Sequence, residues 1–463
     1  MHLLVFRIAC LFWGFLNFIA HCSFEWKLFA FLETFCLSEN LPDMGCCVSA
    51  PKDACGNRRR PTNIGEVAVF VPGLRVPKSV DFSQALSDNL SKNLLERLSS
   101  LRMRIVIMLA KEAPKATRPR QKTNVKHGGS SFAEILQLLE DYLSVLLGLV
   151  REGSQLKEKV QFVWINQEDN AEETVMANAW YEVLSVLHLM AMLCLSEANS
   201  MLLPKAASDS YQPKVSEESK RTSVDIFLKA AGYLDCAIQH VLPQIPHTVR
   251  RDLPVDLAEG VLRALCMQAL GQCVDIQLGM AIDSPKATLA VKRRLACEMV
   301  KYWHQALENI TPLSLVSFSD GWAEKHRLFV KWKYLEAKAA AYYYHGLILD
   351  EGNTEKYHSM AVAALQAADE FLKDSKKASE SFNTTLPTSR IPPLLGSTQY
   401  LCEKIPKDAS SKVRINRDLY NPERILETAP ALPDFALALK PDEYHFPPLD
   451  PLWNLEAIDL LKT

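Results

Sequence analysis

The chain has 463 residues, 48% of them apolar, and a formal net charge of −2. That length can bury a large core as one big domain or two, and near-neutral charge offers no bulk electrostatic pull toward nucleic acid. Six of the twelve cysteines fall in the first 55 residues and the rest are scattered singly, which argues against a disulfide framework or a zinc site and for a cytosolic body.

Residues 3–20 are apolar apart from Arg7 and Asn17, and a second, mostly apolar stretch runs from Leu28 to Leu37. Read literally, this is a signal peptide or a short anchor, weakened by Arg7 and by a poor n-region with only His2 ahead of the apolar run. Met44-Gly45-Cys46-Cys47-Val48-Ser49 competes with that reading. From Met44 it is the N-myristoylation pattern, in which Gly45 leaves its freed amine unobstructed and Ser49 stands at the sixth position. Cys46 and Cys47 are then placed for palmitoylation, and two lipids anchor a protein stably where one does so only marginally. Lys52, Arg58, Arg59 and Arg60 follow closely, and each basic residue near an anionic leaflet adds about 1 kcal/mol. The expectation is a start at Met44, with 1–43 absent from the mature protein and 44–66 a lipidated basic segment. The alternative, a secretory-pathway protein anchored through 1–43, stays open.

Glu66 to Val71 is rich in β-branched residues and stops at Pro72-Gly73, as a short strand would; Val160 to Trp164 is a second candidate, and the two predict a small ribbon. Almost everything else reads as helix. From Ser83, Leu86, Leu90, Leu94, Leu98, Leu101, Ile105 and Met108 recur at three- and four-residue steps. A basic loop from Lys111 to Ser130 separates this from an apolar helix at Phe132–Arg151. The next helix, Thr174–Leu203, is apolar all round and is expected to be central. After a polar break at Pro204–Thr222, helices are predicted at Ser223–Val241, Asp256–Ile282, Ala287–Asn309, Trp322–Asp350 and Thr354–Leu372. Ten of the 25 prolines lie between 392 and 451, so the tail is expected to be non-helical for most of its length. Its Leu395, Tyr420, Ile425, Leu432, Phe435, Tyr444, Phe446 and Trp453 predict an extended strap packed on the helices. Antiparallel helices packed on their neighbours make a solenoid, although no strict repeat is visible.

Patterns of catalysis are missing: no Gly-rich phosphate loop, no Gly-x-Ser-x-Gly, no His-Glu-x-x-His. His240 and His247 lack a third ligand and read as solvated helix-end residues. Tyr342-Tyr343-Tyr344-His345 after three alanines reads as close helix packing before an aromatic cage. No enzyme, metal or cofactor is indicated.

Several short motifs in the helical part are similar to those of one family. Lys229-Ala230-Ala231-Gly232-Tyr233 with Phe227 ahead, Trp180-Tyr181-Glu182-Val183-Leu184 with Leu187, and Tyr334-Leu335-Glu336-Ala337 recur in this order. Ala341 to Leu347, Leu365-Gln366-Ala367-Ala368, Asn416-Arg417-Asp418-Leu419-Tyr420 and Phe446-Pro447-Pro448 continue it. Together they resemble the BRO-one domain, the Alix-like endosomal family, over about 67–448, leaving 449–463 as a tail. The layout is that of the family's small, single-domain, lipid-anchored member, without that member's C-terminal prenylation box.

The resemblance implies an all-α fold with a minor β ribbon: a boomerang-shaped helical solenoid with a tetratricopeptide-like middle and a proline-rich strap. It also implies a non-enzymatic adaptor. A concave groove would bind the C-terminal amphipathic helix of ESCRT-III filament subunits at endosomal or other cytoplasmic-face membranes, in multivesicular body sorting and membrane remodelling. No nucleic acid is involved. The family's groove helix carries Ala-Gln-Ala-Gln-Glu where this chain has Ala269-Leu270-Gly271-Gln272-Cys273. Asp275, Thr288 and Lys292 fall at positions that animal relatives often make apolar. Ile276 and Leu289 are the nearest apolar candidates for the groove, with Leu419 and Tyr420 further along; plain core packing is the competing role for the first two. A helical scaffold serving another peptide is the rival within binding proteins.

Overall fold

The computed structural model describes residues 69–112, 128–166, 173–202, 215–311, 322–352, 354–386, 398–419 and 428–454. All of them lie in the second of two compact units, Arg60–Thr463; the first, Met1–Arg59, falls outside the described residues and takes with it Gly45, Cys46, Cys47, Lys52, Arg58 and Arg59. Arg60 and Tyr420 also lie outside them.

The fold is mostly helical with one small sheet. Strands β1 (Arg75–Pro77), β2 (Phe162–Asn166) and β3 (Glu173–Met176) pair antiparallel in the order β1-β2-β3, with Val76 opposite Ile165 and Val163 opposite Val175. The expected ribbon is thus corrected at both ends. Val69-Phe70-Val71 is buried but is not a strand: the Phe70 carbonyl accepts from Gln268 Nε2 at 2.8 Å, and its ring packs against Phe329 and Phe382, each at 5.4 Å. A side-chain amide thus satisfies the backbone that a partner strand would otherwise have to pair. The third strand takes residues 174–176 from the start of the expected central helix.

The long helix expected from Ser83 is two helices. In α1 (Phe82–Leu86) the Asp81 carboxylate accepts from the N–H groups of Ser83 and Gln84, and the chain turns before restarting as α2 (Lys92–Glu112). The cap fixes the start of α1, and the break follows Leu86, whose carbonyl accepts from the Asn89 and Leu90 N–H groups, a turn that periodicity alone passes over. Next come α3 (Gly128–Val150) and α4 (Ala179–Leu202), the latter buried around nearly its whole circumference. Glu182 of α4 explains how a carboxylate survives there. It ion-pairs with Arg102 of α2 and accepts from Tyr142 Oη of α3 at 2.9 Å and Trp164 Nε1 of β2 at 2.6 Å. Arg102 also donates to the carbonyls of Lys78 and Val163 at 2.7 and 3.2 Å. A buried ion pair is tolerable when its remaining donors and acceptors are satisfied in this way.

From α5 (Glu217–Cys236) the chain passes a π turn, Ala237–Val241, and short α6 (His247–Arg251), then builds α7 (Glu259–Asp283), α8 (Leu289–Ile310), α9 (Trp322–Asp350) and α10 (Glu355–Thr384). Each packs chiefly on its neighbours in sequence, which is solenoid architecture. Small residues permit the close approach: a Cβ on Gly271 would stand 3.0 Å from the Trp303 indole of α8. α4 and α7 are long and apolar enough to span a membrane, but 89% and 78% of their most apolar windows are buried inside the protein.

The proline-rich region is corrected as well. It contains α11 (Thr398–Leu419), with Pro406 inside the helix. Leu401, Ile405 and Ala409 are buried and recur every fourth residue, so packing on α10 outweighs the roughly 3 kcal/mol a proline costs in a helix interior. The strap proper is 428–450, extended as expected, and it ends in a helical turn at 452–454 that carries Trp453.

Candidate partner-binding groove

The strap crosses the helices in reverse chain order. Lys301 of α8 donates to the Phe435 carbonyl and ion-pairs with Asp434. Glu298 accepts from the Ala438 N–H at 2.5 Å, and Tyr302 Oη donates to the Leu439 carbonyl at 2.7 Å. Asp442 N–H then donates to the Leu228 carbonyl of α5, with the Asp442 carbonyl only 2.4 Å from where a Cβ on Gly232 would be. Any side chain at Gly232 would push the strap away, which gives the Ala-Ala-Gly-aromatic motif a physical reason. Tyr444 Oη reaches Glu140 of α3 at 2.8 Å, and Trp453 Nε1 donates to the Val145 carbonyl at 2.9 Å.

Glu298 and Tyr302 therefore mark the strap-facing stripe of α8. Four- and three-residue steps carry that stripe back to Leu295 and Val291, both half-buried. On α7 the stripe Cys273, Gln277, Met280 ends in two half-buried residues, and Cys273 lies within electrostatic reach of Asp442. Met280 on α7 and Val291 and Leu295 on α8 are thus half-buried apolar residues on the stripes of two helices that pack together, and they make up a candidate apolar strip. Such a strip accepts the apolar face of a third helix.

Of the residues expected to line the groove, the structure describes the side chains of Ile276 and Leu289. Ile276 is 2% exposed, in the core. Leu289 is half-buried on the stripe Leu289, Lys292, Ala296, which enters the core at Trp303. Leu419 ends α11. Asp275 is buried and ion-paired with Lys333 of α9 at 2.8 Å, while Lys333 also pairs with Glu336. Thr288 is the N-cap of α8, its Oγ1 accepting from the Val291 N–H. Lys292 is half-buried, and burial pulls its ammonium below the ordinary lysine range. Asp275 and Thr288 are thus core and capping residues of this chain. Val291 and Leu295 were legible as an i, i+4 pair, but only contact with the strap shows which way they face.

Burial pushes the thiols of Cys194, Cys236 and Cys266 up to about 12 and Cys297 to about 11, so none is a thiolate near neutral pH. His240 and His247 are exposed. Tyr343 Oη bonds Asp408 of α11 at 2.8 Å, and Tyr344 is buried. Among the described residues no group of three His, Cys, Asp or Glu is placed to hold a metal.

A solenoid of paired helices braced by an extended strap defines a protein-interaction scaffold as the class of molecule. The sequence matches the BRO1-like domain over residues 71–417, well over half its length, and the chain belongs to that family. A search of curated proteins gives no match. Among solved structures it is similar to ALIX in complex with the SIVmac239 PYKEVTEDL late domain (TM-score 0.54, 16% identity, covering 82% of this chain and 50% of that one). It is also similar to the ALIX BRO1 CHMP4C complex (TM-score 0.53, 16% identity, 83% and 99%). A third match is a structure described as the basis for endosomal targeting by the Bro1 domain (TM-score 0.52, 15% identity, 86% and 97%). At these identities the likeness is one of fold. The chain spans half the length of the first ALIX chain and nearly all of the other two.

Proposed function

We propose that this chain is a non-enzymatic adaptor that recruits an ESCRT-III filament subunit to endosomal membranes, taking the subunit's C-terminal amphipathic helix into the groove between α7 and α8. The carrying observation is the strip Met280, Val291 and Leu295, left half-buried beside the strap within a BRO1-like domain. That an ALIX BRO1 domain forms a complex with CHMP4C supports the choice of partner. Gly45, Cys46 and Cys47 would carry the lipids that hold the adaptor to the cytoplasmic face, with Lys52, Arg58, Arg59 and Arg60 on anionic headgroups.

Fluorescence polarisation of a labelled ESCRT-III C-terminal helix against the full chain tests the partner. Leu295→Asp, which places a charge on a half-buried groove position, should weaken binding at least tenfold without lowering the melting temperature by more than a few degrees. Absence of binding by the unaltered chain would sink the proposal.

A further inference from the structure

α9 carries a second surface, apart from the groove between α7 and α8. Lys331, Tyr334, Lys338 and Tyr342 recur at three- and four-residue steps and so share one side of the helix. Lys331 is exposed and the other three are half-buried. α8 and α10 wall this stripe: the His304 ring lies 5.4 Å from that of Tyr334, and Phe371 stacks on Tyr342 at 5.4 Å. The Lys338 ammonium stands over two rings, 3.9 Å from the Phe371 centroid and 5.5 Å from that of Tyr334.

The charges on this stripe are unbalanced. Among the described residues no carboxylate pairs with Lys331 or Lys338; on the walls Asp369 pairs with Lys373 at 2.7 Å and Asp374 with Lys377 at 3.0 Å, while Glu308 lies 3.4 Å from His304 and within electrostatic reach of Tyr334. Burial also pulls Lys338 below the ordinary lysine range, the mark of a cation that has lost water without gaining an anion. An incoming carboxylate would supply the missing partner, and the rings would cover apolar side chains beside it.

We propose that this stripe docks an acidic amphipathic helix of a partner protein, with two carboxylates seven residues apart meeting Lys331 and Lys338 and an apolar side chain between them resting on Tyr334. The spacing follows from the floor: seven residues of α9 advance about 10.5 Å, and a partner helix lying along the trough has the same rise. Two flanking helices make a straight trough, which favours a helical occupant over an extended one.

The test titrates the full chain into a fluorescein-labelled synthetic helix with Glu at i and i+7 and Leu at i+3 and i+4, and into its Glu→Gln counterpart. The acidic probe should bind at least tenfold more tightly, and Lys331→Glu with Lys338→Glu should abolish the difference. A probe with Lys in place of both Glu should recover affinity for that double variant. Leu295→Asp should leave acidic-probe binding unchanged, which separates this surface from the groove. Lys331→Glu alone, at an exposed position that cannot disturb the fold, should already cost several-fold. Equal affinity for both probes, indifference to Lys331→Glu, or loss through Leu295→Asp would each overturn the assignment. So would sedimentation with phosphatidylserine vesicles that these charge reversals abolish while probe binding persists, since the stripe would then face lipid.

Discussion

Single residues carry the clearest energetic consequences. His188 and His326 are fully buried and held neutral; burial lowers them to about 4 and about 3. His326 shares a hydrogen bond with Gln268 at 2.8 Å, whereas neither ring nitrogen of His188 has a hydrogen-bond partner among the described residues. The unfolded chain, with histidines near 6.5, takes up protons first as pH falls, so the stability these groups allow is present above about pH 6.5 and declines below it. Each should cost about 2 kcal/mol between pH 7.5 and pH 5, read as a fall in urea midpoint, and His188→Leu should remove His188's share of that slope. Glu182→Ala should cost about 3–5 kcal/mol by urea unfolding, because it strands the Arg102 guanidinium in the core. The motif around Glu182 was visible in the sequence as a family pattern. Its partners Arg102, Tyr142 and Trp164 lie 18 to 80 residues away, and no periodicity could have joined them.

Elements were legible where an apolar stripe repeats and illegible where a local device interrupts it. α9 appeared with its observed bounds, and α7 and α8 within a few residues, because their patterns are long. The gap between α1 and α2 is a turn closed by Asn89 and Leu90 N–H on the Leu86 carbonyl, and α11 was hidden by its proline content. Pro406 forgoes one backbone hydrogen bond inside α11, so Pro406→Ala should raise stability by about 2 kcal/mol in a urea titration. The strap's inward residues Phe435, Leu437 and Leu439 alternate with exposed Asp434, Ala436, Ala438 and Lys440, a two-residue period that the prolines masked. Gly148 is its terminal seat: a Cβ there would fall 1.8 Å from the Trp453 indole. Gly148→Ala should therefore dislodge the end of the strap and expose 435–446 to thermolysin, while the unaltered chain resists cleavage there.

At the scale of the molecule, family and helical class followed from motifs spread along the chain, each too short to suffice alone. The groove was not legible, since its direction depends on where the strap lies across α8. A chain translated from Met44 should float with membranes, and Gly45→Ala should move it to the soluble fraction. The strap has one further effect, a mechanical one. A row of helices that touch only their neighbours bends like a spring, because every interface can flex a little and the errors add along the row. A strip bonded to α8, α5 and α3 along one side works as a tie-rod: opening that side loads the bonds at Glu298, Leu228 and Val145 together. The span between its end fixings is thereby held near one length. A partner helix bound as proposed would meet a slot already cut to width and lose less freedom in seating.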